Sequence, residues 1–375
     1  MKKKQPSKKY MVLLVWVLFA CFQIPGALAE NQSGRILPPS LVPVLKDVRA
    51  AMDEKNWAAA IERIRSAQTG SHSGKDGTGR TAPCGHPMVC LALGNCHLFL
   101  KAYAHAESAY LTALDMDPGF MDARVNLAKV YTDSAQHAKA AQTFLGAYKL
   151  SDPRKPTFLY YAAVMTLMDR KTKAAVDLFE TLFAAHPDQI TRQWKENYAN
   201  ALMTAQLWQK AEPVVRELAR TAKEKEKVRW QETLLQIYLT TGKMEKARDY
   251  ATTLARKAPA NARWWKALVH IHLSLENYDR ALDNLIIYGF ATPLSEEEKK
   301  LTADLCLQLQ IPARAADMYE NILTRPGHKR MDPKKDKPII QRLVNAYRQM
   351  GRTDKALALL NSQQVDAASK IFKRI

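Results

Sequence analysis

Apolar side chains along this chain recur at i, i+4 and i+7, which is one face of an α-helix. The series is anchored on alanines: Ala106, Ala140, Ala175, Ala211, Ala247, Ala281 and Ala315, at steps of 34, 35, 36, 36, 34 and 34 residues. Ala60 and Ala356 extend it after longer steps of 46 and 41. Four residues after the alanine comes a bulky residue in most cases: Ile64, Tyr110, Phe144, Phe179, Val215, Leu285, Tyr319 or Leu360. Seven after comes another apolar position, such as Ala113, Leu182, Leu218, Leu254 or Tyr288. A small alanine beside large neighbours predicts a second helix crossing close to it. A period near 34 predicts stacked helix–turn–helix units.

The positions before each alanine supply the partner helix. Nine residues upstream stand Tyr131, Leu202, Tyr238 and Tyr347, with His97 and His272 as variants and Cys306 in the same slot. Twelve upstream stand Gly94, Ala128, Ala163, Ala199, Val269, Ala303 and Val344. Twelve downstream, Pro118, Pro187, Pro259 and Pro293 predict helix stops, since proline cannot continue the hydrogen-bond ladder. Gly242 and Gly351 mark the turn between the two helices, where a left-handed residue ends the first. Nothing in the chain alternates with the period of a strand. The expected architecture is all-α.

These residues, most clearly Leu93-Gly94, Tyr103, Ala106, Tyr110, Ala113 and Pro118, resemble the tetratricopeptide repeat (TPR) family. The resemblance covers roughly residues 40–365. It implies a right-handed helical solenoid of eight to nine repeats that binds protein partners. It also implies that positions 18, 15 and 11 before each alanine line the concave face. In the fifth to seventh repeats these are Gln193, Glu196, Asn200, Arg229, Glu232, Gln236, Arg263, Lys266 and His270. Arg263, Lys266 and His270 share one helix face, a stripe suited to an acidic or extended segment. In the fourth repeat the same positions are the more apolar Tyr160 and Val164. The lysine–asparagine set with which some chaperone-binding relatives clamp a terminal carboxylate is not reproduced. Of the neighbouring Trp264 and Trp265, one is expected between repeats and the other facing outward.

The regular beat also shows where the chain departs from it. Residues 40–68 form a degenerate first helix pair and 69–87 a polar Gly/His/Cys loop. The solenoid proper spans 88–323. Residues 324–338 form a basic insertion, and 339–375 the last repeat with a capping helix. Ahead of all this, residues 1–29 read as an export signal, with a short leader at 30–39. Met1–Tyr10 holds five lysines and no acid, Met11–Phe22 is almost wholly apolar, and Ala27-Leu28-Ala29 fits a cleavage site. The expectation is a periplasmic protein cleaved after Ala29, preferred over lipidation at Cys21 or an uncleaved anchor. Removing the signal's five lysines from the formal charge of +19 leaves +14. Such an excess suits acidic partners or peripheral contact with an anionic membrane. Export argues against nucleic acid, and the basic residues are otherwise explained as solvated helix faces.

Candidate chemistry is sparse. His72, Cys84, His86, Cys90, Cys96 and His97 cluster in sequence, but their spacing fits no zinc or haem-attachment pattern. Cys84 can reach Cys90 if the loop folds back, whereas Cys90 and Cys96 point to different faces of one helix. Cys306 is expected as a buried apolar residue. Gly70–Gly79 lacks the order of a phosphate-binding loop. No catalytic constellation, metal or cofactor is expected.

The C-terminal half is similar to a narrower set of exported TPR proteins found beside TonB–ExbB–ExbD energy-transduction components. The segments concerned are Ala262–Val269, Leu275–Leu282, Thr292–Glu298 and Leu309–Glu320. That resemblance implies a non-catalytic periplasmic adaptor. Two other readings stay open: an assembly factor for outer-membrane, pilus or cell-wall components, and a metal-binding or enzymatic accessory protein that uses the Cys/His loop.

Overall fold

The computed structural model describes residues 37–69, 84–324 and 336–361, all helix and turn, with no strand among them. The segments read as an export signal and as a capping helix, and most of the leader and of the two insertions, lie outside the described residues. The chain divides into two compact units, Met1–Ala201 and Leu202–Ile375.

The first unit holds α1 (Leu41–Asp53), α2 (Trp57–Thr69), α3 (Pro87–Phe99), α4 (Tyr103–Met116), α5 (Met121–Asp133), α6 (His137–Leu150), α7 (Pro156–Met168) and α8 (Thr172–Ala185). Helix α9 (Arg192–Thr204) runs into the second unit. That unit holds α10 (Trp208–Thr221), α11 (Glu224–Thr240), α12 (Met244–Lys257), α13 (Ala262–Ser274), α14 (Tyr278–Ala291), α15 (Glu296–Gln308), α16 (Pro312–Leu323) and α17 (Lys337–Gln349). Residues 353–361 are also helical. Taken two by two these form nine pairs among the described residues, one for each landmark alanine.

The alanine beat is the buried seam. Ala60, Ala106, Ala140, Ala175, Ala211, Ala247, Ala281 and Ala315 are fully buried, and Ala356 nearly so. Their large neighbours Tyr110, Phe144, Phe179, Val215 and Tyr319 are buried with them. Leu360 differs: it occupies the same register and is exposed. Gly94 shows why the crossing helix needs a small residue. A Cβ there would stand 2.5 Å from the Tyr110 ring, well inside van der Waals contact.

Each pair is closed by the same turn. The residue five before the alanine has positive φ in all nine pairs: Lys55, Lys101, Ala135, Arg170, Gln206, Gly242, Glu276, Gln310 and Gly351. Only two of them are the glycines that mark the turn in the sequence. The next residue's N–H reaches back to the carbonyl five positions earlier, as in Gln136 to Tyr131, Lys243 to Tyr238 and Asn277 to His272. This is the long bond of a Schellman turn, which satisfies carbonyls left open at the helix end. The non-glycine residues accept a left-handed cost of about 1–2 kcal/mol because that bond and the packing on both sides fix the corner.

Successive pairs are joined by a recurring polar link as well as by apolar packing. In the first unit Glu107, one residue after its alanine, accepts from Tyr131 at 2.9 Å and pairs with Lys139 at 3.1 Å in the next repeat. Glu180, five after its alanine, accepts from Tyr198 at 3.1 Å. In the second unit Glu212 pairs with Lys243 at 2.5 Å and with Arg216, and Glu320 accepts from Tyr347. A glutamate on a second helix therefore meets a tyrosine or a cation of the following pair. Burial, reinforced by the facing carboxylate, pushes the Tyr131 and Tyr347 hydroxyls up to about 12, so they act as donors at neutral pH.

Candidate interaction face

The nine expected groove residues stand on α9, α11 and α13. Gln193, Glu196 and Asn200 belong to the first unit and are half-buried. Arg229, Glu232, Gln236, Arg263, Lys266 and His270 belong to the second and are exposed. The structure brings the α11 and α13 residues together. Arg263 reaches Glu232 of the preceding repeat at 3.3 Å, and Lys266 reaches Glu298 of the following one at 2.8 Å. Arg229 lies over the Trp230 ring, 4.8 Å from its centroid. On α9, Glu196 is held by Arg192 at 2.9 Å.

The predicted stripe is therefore present as geometry, but its charge is different from the expectation. Two of its three basic residues are already paired within the chain, across 31 and 32 residues of sequence. The exposed face alternates in sign rather than presenting open positive charge. Glu298 is the anchor of this arrangement. It completes the capping box of α15, accepting from the N–H and hydroxyl of Ser295 at 2.9 Å while Ser295 Oγ caps its own N–H. Burial alone would raise its carboxyl, but Lys266 and Ser295 outweigh burial and hold it at about 2. The repeat phase contained this signal, because acids at Glu232 and Glu298 fall one repeat away from the two cations.

The fourth repeat corrects the expectation of an open apolar stretch. Tyr160 and Val164 are buried, not exposed in a groove. The Tyr160 hydroxyl accepts from Asn197 at 2.6 Å, and its ring stacks on Trp194 with centroids 5.1 Å apart. Hydroxyl and ring are both consumed by the neighbouring helix. Trp264 is buried as the sequence suggested for one of the pair. Trp265 is half-buried, with its indole N–H donating to the Pro259 carbonyl at 2.8 Å.

The cysteine–histidine cluster resolves into separate duties. Cys84 and Cys90 form a disulfide with Cα atoms 5.1 Å apart, which ties the residues before α3 to its first turn. His86 caps that helix, its Nδ1 accepting from the Met88 N–H at 3.2 Å. Cys96 is buried, its thiol pushed up to about 11 by burial, and Cys306 is buried as expected. His97 stacks on His105 at 5.1 Å. His72 lies outside the described residues.

One feature of the second unit was missed by the groove positions. A cavity of about 520 Å³ opens between α12, α13 and α14, with Arg248, Arg256, Trp265, Leu268, His272 and Arg280 among its lining. It lies on the side of α13 opposite Arg263, Lys266 and His270, since 265, 268 and 272 are half a turn from 263, 266 and 270. The sequence held a signal for it: histidine replaces tyrosine in the slot nine before Ala281.

Comparison with known proteins supports the repeat reading. A tetratricopeptide repeat family model matches residues 91–156 and 233–286. No curated protein matches the chain in sequence. The structure of Naa15/Naa10 bound to HypK-THB aligns at 15% identity with a TM-score of 0.58. That alignment covers 88% of this chain and 50% of the other, so the likeness is one of fold across half of the larger chain. A tetratricopeptide repeat protein from Parabacteroides merdae aligns over 82% of this chain and 99% of its own, at 12% identity and a TM-score of 0.39. YrrB, described as a TPR protein with an unusual peptide-binding site, aligns over 55% of this chain and 99% of its own, at 16% identity and a TM-score of 0.38. Landmark alanines, left-handed turns, family match and fold likeness agree: the chain carries tetratricopeptide repeats, matched by the family model at residues 91–156 and 233–286, in an all-helical repeat fold.

Proposed function

We propose that this protein is an exported, periplasmic adaptor that holds an extended protein segment on the α11–α13 face and works with TonB–ExbB–ExbD-type components. The exposed, alternating-charge face of Arg229, Glu232, Arg263 and Lys266 is the observation on which the binding reading rests. Arg263, held in an exposed pair with Glu232, can exchange partners at little cost, because such pairs contribute only about 0–1 kcal/mol. A segment of matched alternating charge can replace that pair. The Cys84–Cys90 disulfide supports an oxidising compartment. The lysine-rich, apolar N-terminus supports export. The energy-transduction assignment is supported by the resemblance of residues 262–320.

The test is affinity capture from periplasm and solubilised inner membrane, using the mature protein and an Arg263→Glu/Lys266→Glu variant. The expected result is recovery of a TonB-, ExbB- or ExbD-type component by the parent and its loss with the variant. Recovery by neither protein overturns the adaptor reading, and equal recovery by both overturns the face. Export is checked by sequencing the N-terminus of the mature protein, expected to begin at Glu30.

A further inference from the structure

The repeat junctions can be compared position by position, and one of them is built backwards. At four junctions a second helix presents a glutamate to the next repeat: Glu107 and Glu212 one residue after the alanine, Glu180 and Glu320 five after. At three of them the receiving side offers a tyrosine nine before the next alanine (Tyr131, Tyr238, Tyr347), at the Glu180 junction Tyr198 stands thirteen before it, and a lysine stands one before the alanine, as in Lys139 and Lys355. Between the Ala247 and Ala281 repeats the receiving side is still equipped, with His272 in the tyrosine slot and Arg280 in the lysine slot. The giving side is not. Arg248 occupies the first glutamate register and Thr252 the second.

Where a carboxylate stands in those four junctions, this one has the cavity of about 520 Å³ described above. Arg248, Arg256 and Arg280 line it, and Trp265 and Leu268 supply an apolar wall. Arg248 is paired with Glu245 and Asp249 of its own helix. Arg280 stands 4.0 Å from Asp279 and 3.8 Å from Asp283. All four of these acids are well exposed, so they are weak competitors in high dielectric. Arg256 has no ion pair among the described residues. The second observation is His272 itself. Its side chain lines the cavity, it is only 8% exposed, and its Nδ1 is buried with no hydrogen-bond partner among the described residues. Buried polar atoms are rarely left so, and this one marks a place where a partner group belongs.

We propose that the notch between α12, α13 and α14 binds the side-chain carboxylate of an acidic residue from a partner protein, held by Arg248, Arg256 and Arg280 with His272 as a hydrogen-bonding partner. The occupant takes the place that glutamate fills at those four junctions, and its aliphatic stem packs on Trp265 and Leu268. Arginine suits this duty because its planar donors match a carboxylate. The site lies on the opposite side of α13 from the proposed adaptor face and does not depend on it.

The test follows the ring resonances of His272 in histidine-labelled protein, assigned by their loss in His272→Gln. Four probes are titrated: an alanine–glutamate–alanine peptide blocked at both ends, its glutamine counterpart, the glutamine peptide with a free C-terminus, and inorganic phosphate. The expected result is a saturable shift with the glutamate peptide and none with the blocked glutamine peptide. No shift, or equal shifts from both blocked peptides, overturns the site. A shift from the free-terminus peptide alone, or from phosphate alone, overturns the side-chain assignment and identifies a chain end or a phosphate instead. Arg248→Glu supplies the missing carboxylate from within. It is expected to raise the melting temperature and weaken the glutamate peptide by about tenfold or more, as removal of a charged hydrogen-bond partner does. Arg280→Gln, which adds no charge repulsion, is expected to weaken it in the same direction. Unchanged affinity in both variants overturns the proposal.

Discussion

The two junctions on either side of α12 use the same positions to opposite effect. Toward α10, Glu212 is buried and gathers Lys243 and Arg216, and Arg216 also reaches the Tyr238 hydroxyl. Toward α14, the equivalent positions bring together Arg248, Arg280 and a buried histidine around open space. The helices and turns are alike, so the difference is electrostatic. It teaches that apolar packing can hold a repeat junction without its ion link, and that an omitted link leaves a charged space facing solvent.

The sharpest way to break this contrast is to make the closed junction resemble the open one. Glu212 is only 5% exposed, and Glu212→Lys would set three cations against one another. Chemical denaturation is expected to show a loss of about 3 kcal/mol, the scale of breaking a buried ion link. A loss below about 0.5 kcal/mol, the range of an inconsequential surface change, would mean that the carboxylate does not hold the junction.

The two junctions should also separate by pH. Hydrogen bonding from Lys243, opposed by burial and helped by Arg216 and Lys246, holds Glu212 below its ordinary 4.5. The folded state therefore binds this proton less readily than the unfolded chain. The stabilisation is complete above 4.5 and lost as pH falls through the depressed value. His272 is lowered from 6.5 by burial, then by Arg248 and Arg280, against smaller opposing effects of Asp279 and Glu245. Its contribution follows the same sign, complete above 6.5 and lost as pH falls below it. Hydrogen exchange is expected to show α13 loosening between pH 7 and 5 while α11 keeps its protection. His272→Asn should abolish that difference.

Smaller effects come from the turns that begin the second helix of each junction's receiving repeat. Gly242 opens α12 and Glu276 opens α14, both with positive φ. Gly242→Ala is expected to lower the melting midpoint by about 1 kcal/mol equivalent, and Glu276→Gly to raise it by up to about the same amount. Opposite signs are the essential result. The smallest effect belongs to the exposed face. Arg263 and Glu232 are 64% and 49% exposed, so Glu232→Gln should change stability by less than about 0.5 kcal/mol.

Much of this architecture was legible because burial follows periodicity. Ala106 to Ala315 could be placed on a buried seam from spacing alone, and Gly94 against Tyr110 follows from the same phase. Seven of the nine left-handed turns were invisible. Lys55, Ala135 and Glu276 have no local preference for that conformation, which is imposed by a hydrogen bond back to the preceding helix. The register placed the residues of α11 and α13 at exposed positions, but not their pairing. Arg263 and Lys266 were read along one helix, whereas their partners lie on the neighbouring repeats.

The sequence by itself determined the helix pairs, their phase and the identity of the buried seam, because a small residue at fixed spacing admits a crossing helix at only one place. Tertiary structure alone decided which charges meet a partner from another repeat and which pair only within their own helix. Coulombic pairing depends on distances of a few ångströms between side chains some 30 residues apart. It closed the stripe at Arg263 and Lys266, buried Tyr160, and left Arg248, Arg280 and His272 around a space with no acid of its own.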